Sequence, residues 1–137
     1  MPDTMADAQL TLREGLDGLT PARILTLYRR APLMRSVHDP KEVEAMFDAA
    51  TFVLSAWHGD RLVGLARVLS DGVLFSYLCD LAVEPDVQGV GIGRALIDGV
   101  LERCKGTELV LRDSEISTPF YERTGFKRVR NAWTKGA

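Results

Sequence analysis

Between Asp80 and Leu96 the chain reads Asp-Leu-Ala-Val-Glu-Pro-Asp-Val-Gln-Gly-Val-Gly-Ile-Gly-Arg-Ala-Leu. Gly89, Gly91 and Gly93 fall where an apolar, strand-like run gives way to a helical pattern. Without side chains there, the backbone can turn tightly and a ligand can come close to it. The first turn of the helix leaves N–H groups without intrahelical acceptors, at the positive end of the helix dipole. Together these features make an anion site suited to phosphates. The dipole adds only about 0.3–1 kcal/mol per exposed charge, so several N–H bonds must share the binding. A glycine-rich turn that only serves packing would carry the same letters.

Two well-known phosphate loops do not fit. A P-loop needs Gly-Lys-Ser/Thr, and Gly93 is followed by Arg94-Ala95. A dinucleotide fingerprint needs Gly-x-Gly-x-x-Gly, and here Arg94-Ala95-Leu96 follows Gly91-Ile-Gly93, so the third glycine is missing. Asp113 stands 20 residues after Gly93, near where a ribose-binding acid would be. The tail beyond it is too short for a further β-α-β half.

Few other groups suggest chemistry. Cys79 lies in an apolar strand-like run and Cys104 on the apolar face of a helix. They read as buried free thiols, which suits a reducing compartment and predicts a cytoplasmic location. His38 and His58 have no acidic or sulfur partner at ligand spacing, so no metal site is expected. From Arg123 onward every charged residue is basic: Arg123, Lys127, Arg128, Arg130 and Lys135. Such a run is ordinarily a solvated face; the other reading is that it feeds an anion site.

The elements that must position the glycine loop follow from periodicity and punctuation. Leu10 to Arg13 alternates and predicts a short strand. Thr20-Pro21 and Asp39-Pro40 are helix starts, with a capping side chain before a proline in the first turn. Ile24, Leu27 and Tyr28 continue the first helix to before Pro32; Val43, Met46 and Phe47 continue the second to about Ala50. Thr51–Trp57 and Leu62–Leu69 predict a hairpin around His58-Gly59-Asp60. Val73–Val83, apolar on both faces, predicts a long central strand. Ile92, Leu96, Ile97, Val100, Leu101 and Cys104 define one face of a helix from Gly91 to about Lys105. Leu109–Leu111 reads as a short buried strand. Thr118-Pro119 starts a last helix that Gly125 ends, and Phe126–Trp133 predicts a closing strand or hairpin. The long strand, the helix and the next strand form a β-α-β unit, which must be parallel and right-handed.

The chain has 137 residues, 46% hydrophobic and 26% charged, which is enough for one soluble domain with its own core. Residues 1–137 read as that one domain. Seventeen basic against 19 acidic residues give a net charge of −2, which argues against a general nucleic-acid binder. The most apolar stretch, Val73–Val83, is far shorter than the roughly 20 residues of a membrane span, and no basic region precedes an apolar run at the N-terminus. Neither a membrane nor a signal peptide is expected.

Gln88-Gly-Val-Gly91-Ile-Gly93 resembles the Gln/Arg-x-x-Gly-x-Gly/Ala loop of the GNAT superfamily of N-acetyltransferases. The approach strand ending Leu81-Ala-Val83, followed by Glu84-Pro85, and the later Pro119-Phe-Tyr-Glu-Arg-Thr-Gly-Phe126 resemble the same family in order and distance. The resemblance covers nearly the whole chain. It implies an α/β (α+β) fold with a central mixed β-sheet flanked by helices, and a splayed parallel strand pair holding the cofactor. It implies that acetyl-CoA binds with its pyrophosphate on Gln88, Gly89, Val90, Gly91, Ile92, Gly93 and Arg94. Its pantetheine arm would lie along Leu81, Ala82 and Val83, with further contacts from Ser114 and Tyr121. Ser114 stands where the family commonly has Asn.

The implied reaction is direct attack of a primary amine of a small molecule or peptide on the thioester. The alternative is a non-catalytic CoA-binding regulatory module. The resemblance gives Tyr121 the part of general acid toward the leaving thiolate; a phenol with an ordinary pKa near 10 can serve. A backbone N–H near Val83 would stabilise the oxyanion. In related enzymes the base often sits 9 or 11 residues before the loop's Gln, which here are Cys79 and Tyr77, neither an obvious base. Asp80 is the candidate ranked first, provided that the strand bulges, with Glu84 acting through water as the next. The acceptor region implied includes Tyr28, Tyr77 and Cys79, and a homodimer is open.

Overall fold

The computed structural model describes residues 9–31, 33, 37–114 and 116–136. Five strands form one sheet: β1 (Leu10–Glu14), β2 (Phe52–His58), β3 (Arg61–Ser70), β4 (Phe75–Val83) and β5 (Glu108–Leu111). They lie in sequence order, each pair antiparallel except β4 and β5, which are parallel. The helices are α1 (Pro21–Arg30), α2 (Pro40–Asp48), α3 (Ile92–Arg103) and α4 (Thr118–Arg123).

The capping signals act as read. The Thr20 side chain accepts the Arg23 N–H at 3.2 Å, and the Asp39 carboxylate accepts the Lys41 N–H at 2.9 Å, with proline next to each cap. α1 and α2 cover one face of the sheet, burying Ile24, Leu27, Val43 and Phe47 against Val53, Trp57, Leu65 and Ala82. α3 covers the other, burying Ile92, Leu96, Ile97 and Val100 against Leu54, Val63, Ala66, Val68 and Leu78. Each such side chain contributes about 1.5–3 kcal/mol by leaving water.

A slip in the β3–β4 ladder organises the site. Arg67 pairs with Asp80, but the next pair is Val68 with Leu78, so Cys79 is an extra residue on β4. Side chains alternate along a strand, so Leu78 and Ala82 should share a face. Instead Leu78 packs with α3 and Ala82 with α1 and α2. The bulge reverses the alternation.

Two expectations fail. The long strand starts at Phe75, not Val73: the Asp71 carboxylate accepts the N–H groups of Val73, Leu74 and Phe75 at 2.8, 2.7 and 3.1 Å and holds them in a turn. The strand's first half is also not covered on both faces, since Phe75 and Tyr77 are exposed. No strand forms over Phe126–Trp133. Its large apolar residues after Phe126 are Val129 and Trp133, set among Lys127, Arg128 and Arg130, so there is too little apolar surface to bury; Trp133 is 99% exposed.

Candidate active site

β4 and β5 stay paired only as far as Leu78 and Leu111. From Cys79 to Val83, β4 continues with β3 on one side and, among the described residues, no strand on the other. Five residues at about 3.3 Å each leave about 16 Å of open strand edge. The Glu84 N–H donates to the Val63 carbonyl of β3 at 2.9 Å. Backbone groups alternate between edges, so Leu81 and Val83 turn theirs toward the gap. The Gln88 amide occupies one of these groups, donating from Nε2 to the Val83 carbonyl at 3.1 Å.

At the end of β4 the chain makes a short 3-10 turn, Pro85–Val87, and then the glycine loop. Gly89 and Gly91 have φ of +91° and +89°, a left-handed conformation that only glycine adopts easily. A Cβ at either would meet nothing within 4 Å, so both backbones face open space. Gly91 is the N-cap of α3 and offers no side-chain acceptor to the first-turn N–H groups, leaving them oriented outward. Gly93 differs from these two: its φ is not positive, and a Cβ there would make ordinary contacts. A Cβ there would lie 3.4 Å from the Phe120 ring and 3.8 Å from Val83 Cγ2. The loop, the end of β4 and α4 therefore meet at Gly93, with Ile92 buried beneath and Val90 and Arg94 outward.

Tyr121 is half-buried on the α3 side of the sheet, in the same apolar cluster as Leu81 and Val83. Its ring is edge-on to Phe120 and Phe126, at centroid distances of 5.2 and 5.6 Å. Ser114 belongs to the turn before α4, where its side chain and that of Ser117 hydrogen-bond each other and each other's N–H. Within the basic tail Arg128 donates to Asp113 at 3.0 Å. Thr118 also donates to Asp113, and these bonds hold the Asp113 carboxyl below the usual range.

Asp80 lies on the opposite face of β4, under α1. It is 1% exposed, and its Oδ2 accepts from Arg67 Nε at 2.6 Å and from the Tyr28 hydroxyl at 2.7 Å. Burial pulls against the charge on Arg67, and the Asp80 carboxylate more than offsets it, so the guanidinium is held above its ordinary pKa. Burial, reinforced by the same carboxylate, pushes the Tyr28 hydroxyl well above the usual phenol range. Tyr28 is buried, 5% exposed. Glu84 is likewise buried and bound to an arginine, Arg30 Nε at 2.6 Å. It forms the floor of a shallow groove of about 510 Å³ between α1 and the β2–β3 turn, apart from the β4–β5 gap. Cys79 is the bulge residue and half-buried, with Sγ 3.7 Å from the Tyr77 carbonyl; Tyr77 is 36% exposed. The arginine partners Arg67 and Arg30 escape a reading of the sequence, because nothing in residue spacing ties them to Asp80 and Glu84.

The family profile described as an acetyltransferase (GNAT) domain matches residues 22–135. The chain belongs to the GNAT family. Among similar proteins, the glucosamine 6-phosphate N-acetyltransferase of Trypanosoma brucei brucei is 31% identical over 123 residues, covering 86% of this chain and 76% of that protein. The mycothiol acetyltransferase of Geodermatophilus obscurus is 38% identical over 100 residues, but this covers 64% of this GNAT chain and only 32% of that longer protein. The fold matches a Trypanosoma brucei acetyltransferase with a TM-score of 0.70 at 26% identity, over 94% of this chain and 100% of that one. It also matches a Clostridium acetobutylicum structure solved with acetyl-CoA, TM-score 0.73 at 16% identity, over 93% and 96%. The mixed sheet with flanking helices is the GNAT fold.

Proposed function

We propose that this GNAT domain transfers the acetyl group of acetyl-CoA to a primary amine. The observation that carries the reading is the meeting of an open β4 edge, a glycine loop at a helix N-terminus and α4 around Gly93. The residues fit the cofactor: Gly89 and Gly91 leave a cradle that a Cβ would obstruct, and Leu81 and Val83 offer backbone partners for an extended amide-containing arm. In this reading the loop N–H groups of Gly89–Arg94 hold the pyrophosphate, and Gln88 swings off the Val83 carbonyl to admit the arm. When bound, acetyl-CoA supplies an activated acyl thioester.

Within that frame the chain's residues divide the work. A backbone N–H on the open β4 edge stabilises negative charge developing on the carbonyl oxygen. As the C–N bond forms and the C–S bond breaks, the Tyr121 hydroxyl would give its proton to the departing sulfur, and the proton released by the amine nitrogen would return through water to the phenolate. Asp80 we assign to positioning: its carboxylate is turned to Arg67 and Tyr28, which hold the β4 bulge. The pairing of both Asp80 and Glu84 with arginines favours, as the second reading, a CoA-binding module without turnover.

A melting scan with saturating acetyl-CoA tests the first step. Ligand at about 100 times its Kd stabilises by about 2.7 kcal/mol, which raises Tm visibly. Gly91→Glu should abolish that rise by placing a carboxylate in the phosphate cradle. Thiol release with an amine panel tests the second step: binding without release selects the non-catalytic module, and no shift at all removes the cofactor assignment.

A further inference from the structure

We infer that the acceptor amine is carried on an apolar or aromatic body, held by Tyr77 and Phe75; this rests on the transferase reading above. If the phosphates lie at the glycine loop, the arm runs up the open edge of β4 toward the apex at Leu78 and Leu111, where β4 and β5 rejoin. The acyl end then lies near Cys79. The acceptor must meet it there, and the α3 face is filled by Leu81, Val83, Phe120 and Tyr121.

The other face is open and apolar. Leu78 packs toward α3, so its neighbour Tyr77 projects to the opposite side, and Phe75 with it. Leu69 pairs with Tyr77 across the ladder, which places their side chains together. All three are exposed, Leu69 at 40%, Phe75 at 54% and Tyr77 at 36%. The α1–α2 layer buries Val53, Trp57, Leu65 and Ala82, and among the described residues the cluster it forms does not include Leu69, Phe75 or Tyr77. The strands β3 and β4 contain one carboxylate, Asp80, and it is buried against Arg67. They offer no exposed anion of their own to an amine bearing several charges; the exposed Glu108 of β5 pairs with Phe75, at the end of the strip away from the apex. They offer instead two aromatic rings one residue and three residues from the apex, a surface that gains by covering an apolar body.

The test is steady-state kinetics of the full chain with three amines: phenethylamine, spermidine and glucosamine 6-phosphate. The expected result is the highest kcat/KM for phenethylamine, by about tenfold or more over spermidine. Tyr77→Ala and Phe75→Ala should each raise the KM for phenethylamine by about tenfold while the acetyl-CoA melting shift remains; Tyr77→Phe should restore the parent KM, since the ring rather than the hydroxyl is at work. Preference for spermidine or glucosamine 6-phosphate, or a KM that neither alanine variant moves, overturns the inference and leaves the transferase reading standing; turnover of none of the three despite an acetyl-CoA shift overturns the inference and favours the non-catalytic module over the transferase. A dimer in gel filtration that Phe75→Ala splits, with KM unchanged, likewise overturns it, because the strip is then a contact between copies. Absence of the acetyl-CoA shift is a failure of the transferase reading itself, and the inference falls with it.

Discussion

Arg67 and Asp80 face each other across the β3–β4 ladder at the last position before it slips, and their side chains meet at 2.6 Å. The pair is buried, with side-chain exposures of 13% and 0%. Tyr28 from α1 joins it, and Phe47 from α2 lies under the guanidinium at 5.7 Å from its ring centroid. Two strands and two helices are thus tied together beside Cys79, the residue whose insertion separates β4 from β5.

Arg67→Met would leave the Asp80 carboxylate buried without its guanidinium, at a cost of about 3–5 kcal/mol. Tm should fall by several degrees or more. Adding Asp80→Asn to Arg67→Met should recover part of the loss, since the two sites are in contact and will not be additive. Arg67→Lys should lie between parent and Arg67→Met. Chemical denaturation of the three variants beside the parent decides this; equal losses in Arg67→Met and the double variant would mean that the pair does not act as a unit.

Tyr28 gives a pH dependence. Its folded-state pKa is raised above the unfolded value by burial and by Asp80. Its contribution is therefore fully present below the unfolded pKa of about 10 and is lost as pH rises beyond it. Tyr28→Phe removes a hydrogen bond to a charged group, worth about 1.5–3 kcal/mol near neutral pH. The same variant should lose less Tm than the parent between about pH 9 and about pH 11.

Tyr121→Phe keeps the ring contacts with Phe120 and Phe126 and removes the hydroxyl. Turnover should fall by about 10²–10⁴-fold, with Tm and acetyl-CoA affinity nearly unchanged. Steady-state kinetics with a separate binding measurement checks this. Turnover within about threefold of the parent would make Tyr121 a packing residue only.

Two glycines where α3 meets the sheet, Gly64 of β3 and Gly99 of α3 itself, should respond differently to the same methyl group. At Gly64 a Cβ would stand 3.2 Å from the Ala82 carbonyl and 3.0 Å from Leu96 Cδ1, so backbone must move; Gly64→Ala should cost about 1–3 kcal/mol. At Gly99 a Cβ would come 2.8 Å from Leu54 Cδ1, the far end of one side chain, and Ala gains about 0.8–1 kcal/mol over Gly in a helix. Gly99→Ala should stay within about 1 kcal/mol of the parent. Denaturant melts of both variants measure the contrast.

Much of this protein was legible in its residues before any coordinates. Thr20-Pro21 and Asp39-Pro40 start helices because caps and prolines act over three residues, and the apolar face of α3 follows from its period. The glycine turn was legible as well, since Gly89 and Gly91 answer to local backbone geometry. Local signals misled at Val73, where three backbone bonds to Asp71 outweigh a β-rich run. They misled again over Phe126–Trp133, where strand-forming letters have nothing to pack against. Only the tertiary structure could show that Asp80, adjacent in sequence to Cys79, turns toward α1 and is bound by Arg67 and Tyr28, 13 and 52 residues away. A single inserted residue in a ladder reverses which face each neighbour takes, and that slip depends on how two distant strands pair rather than on the residues of either one.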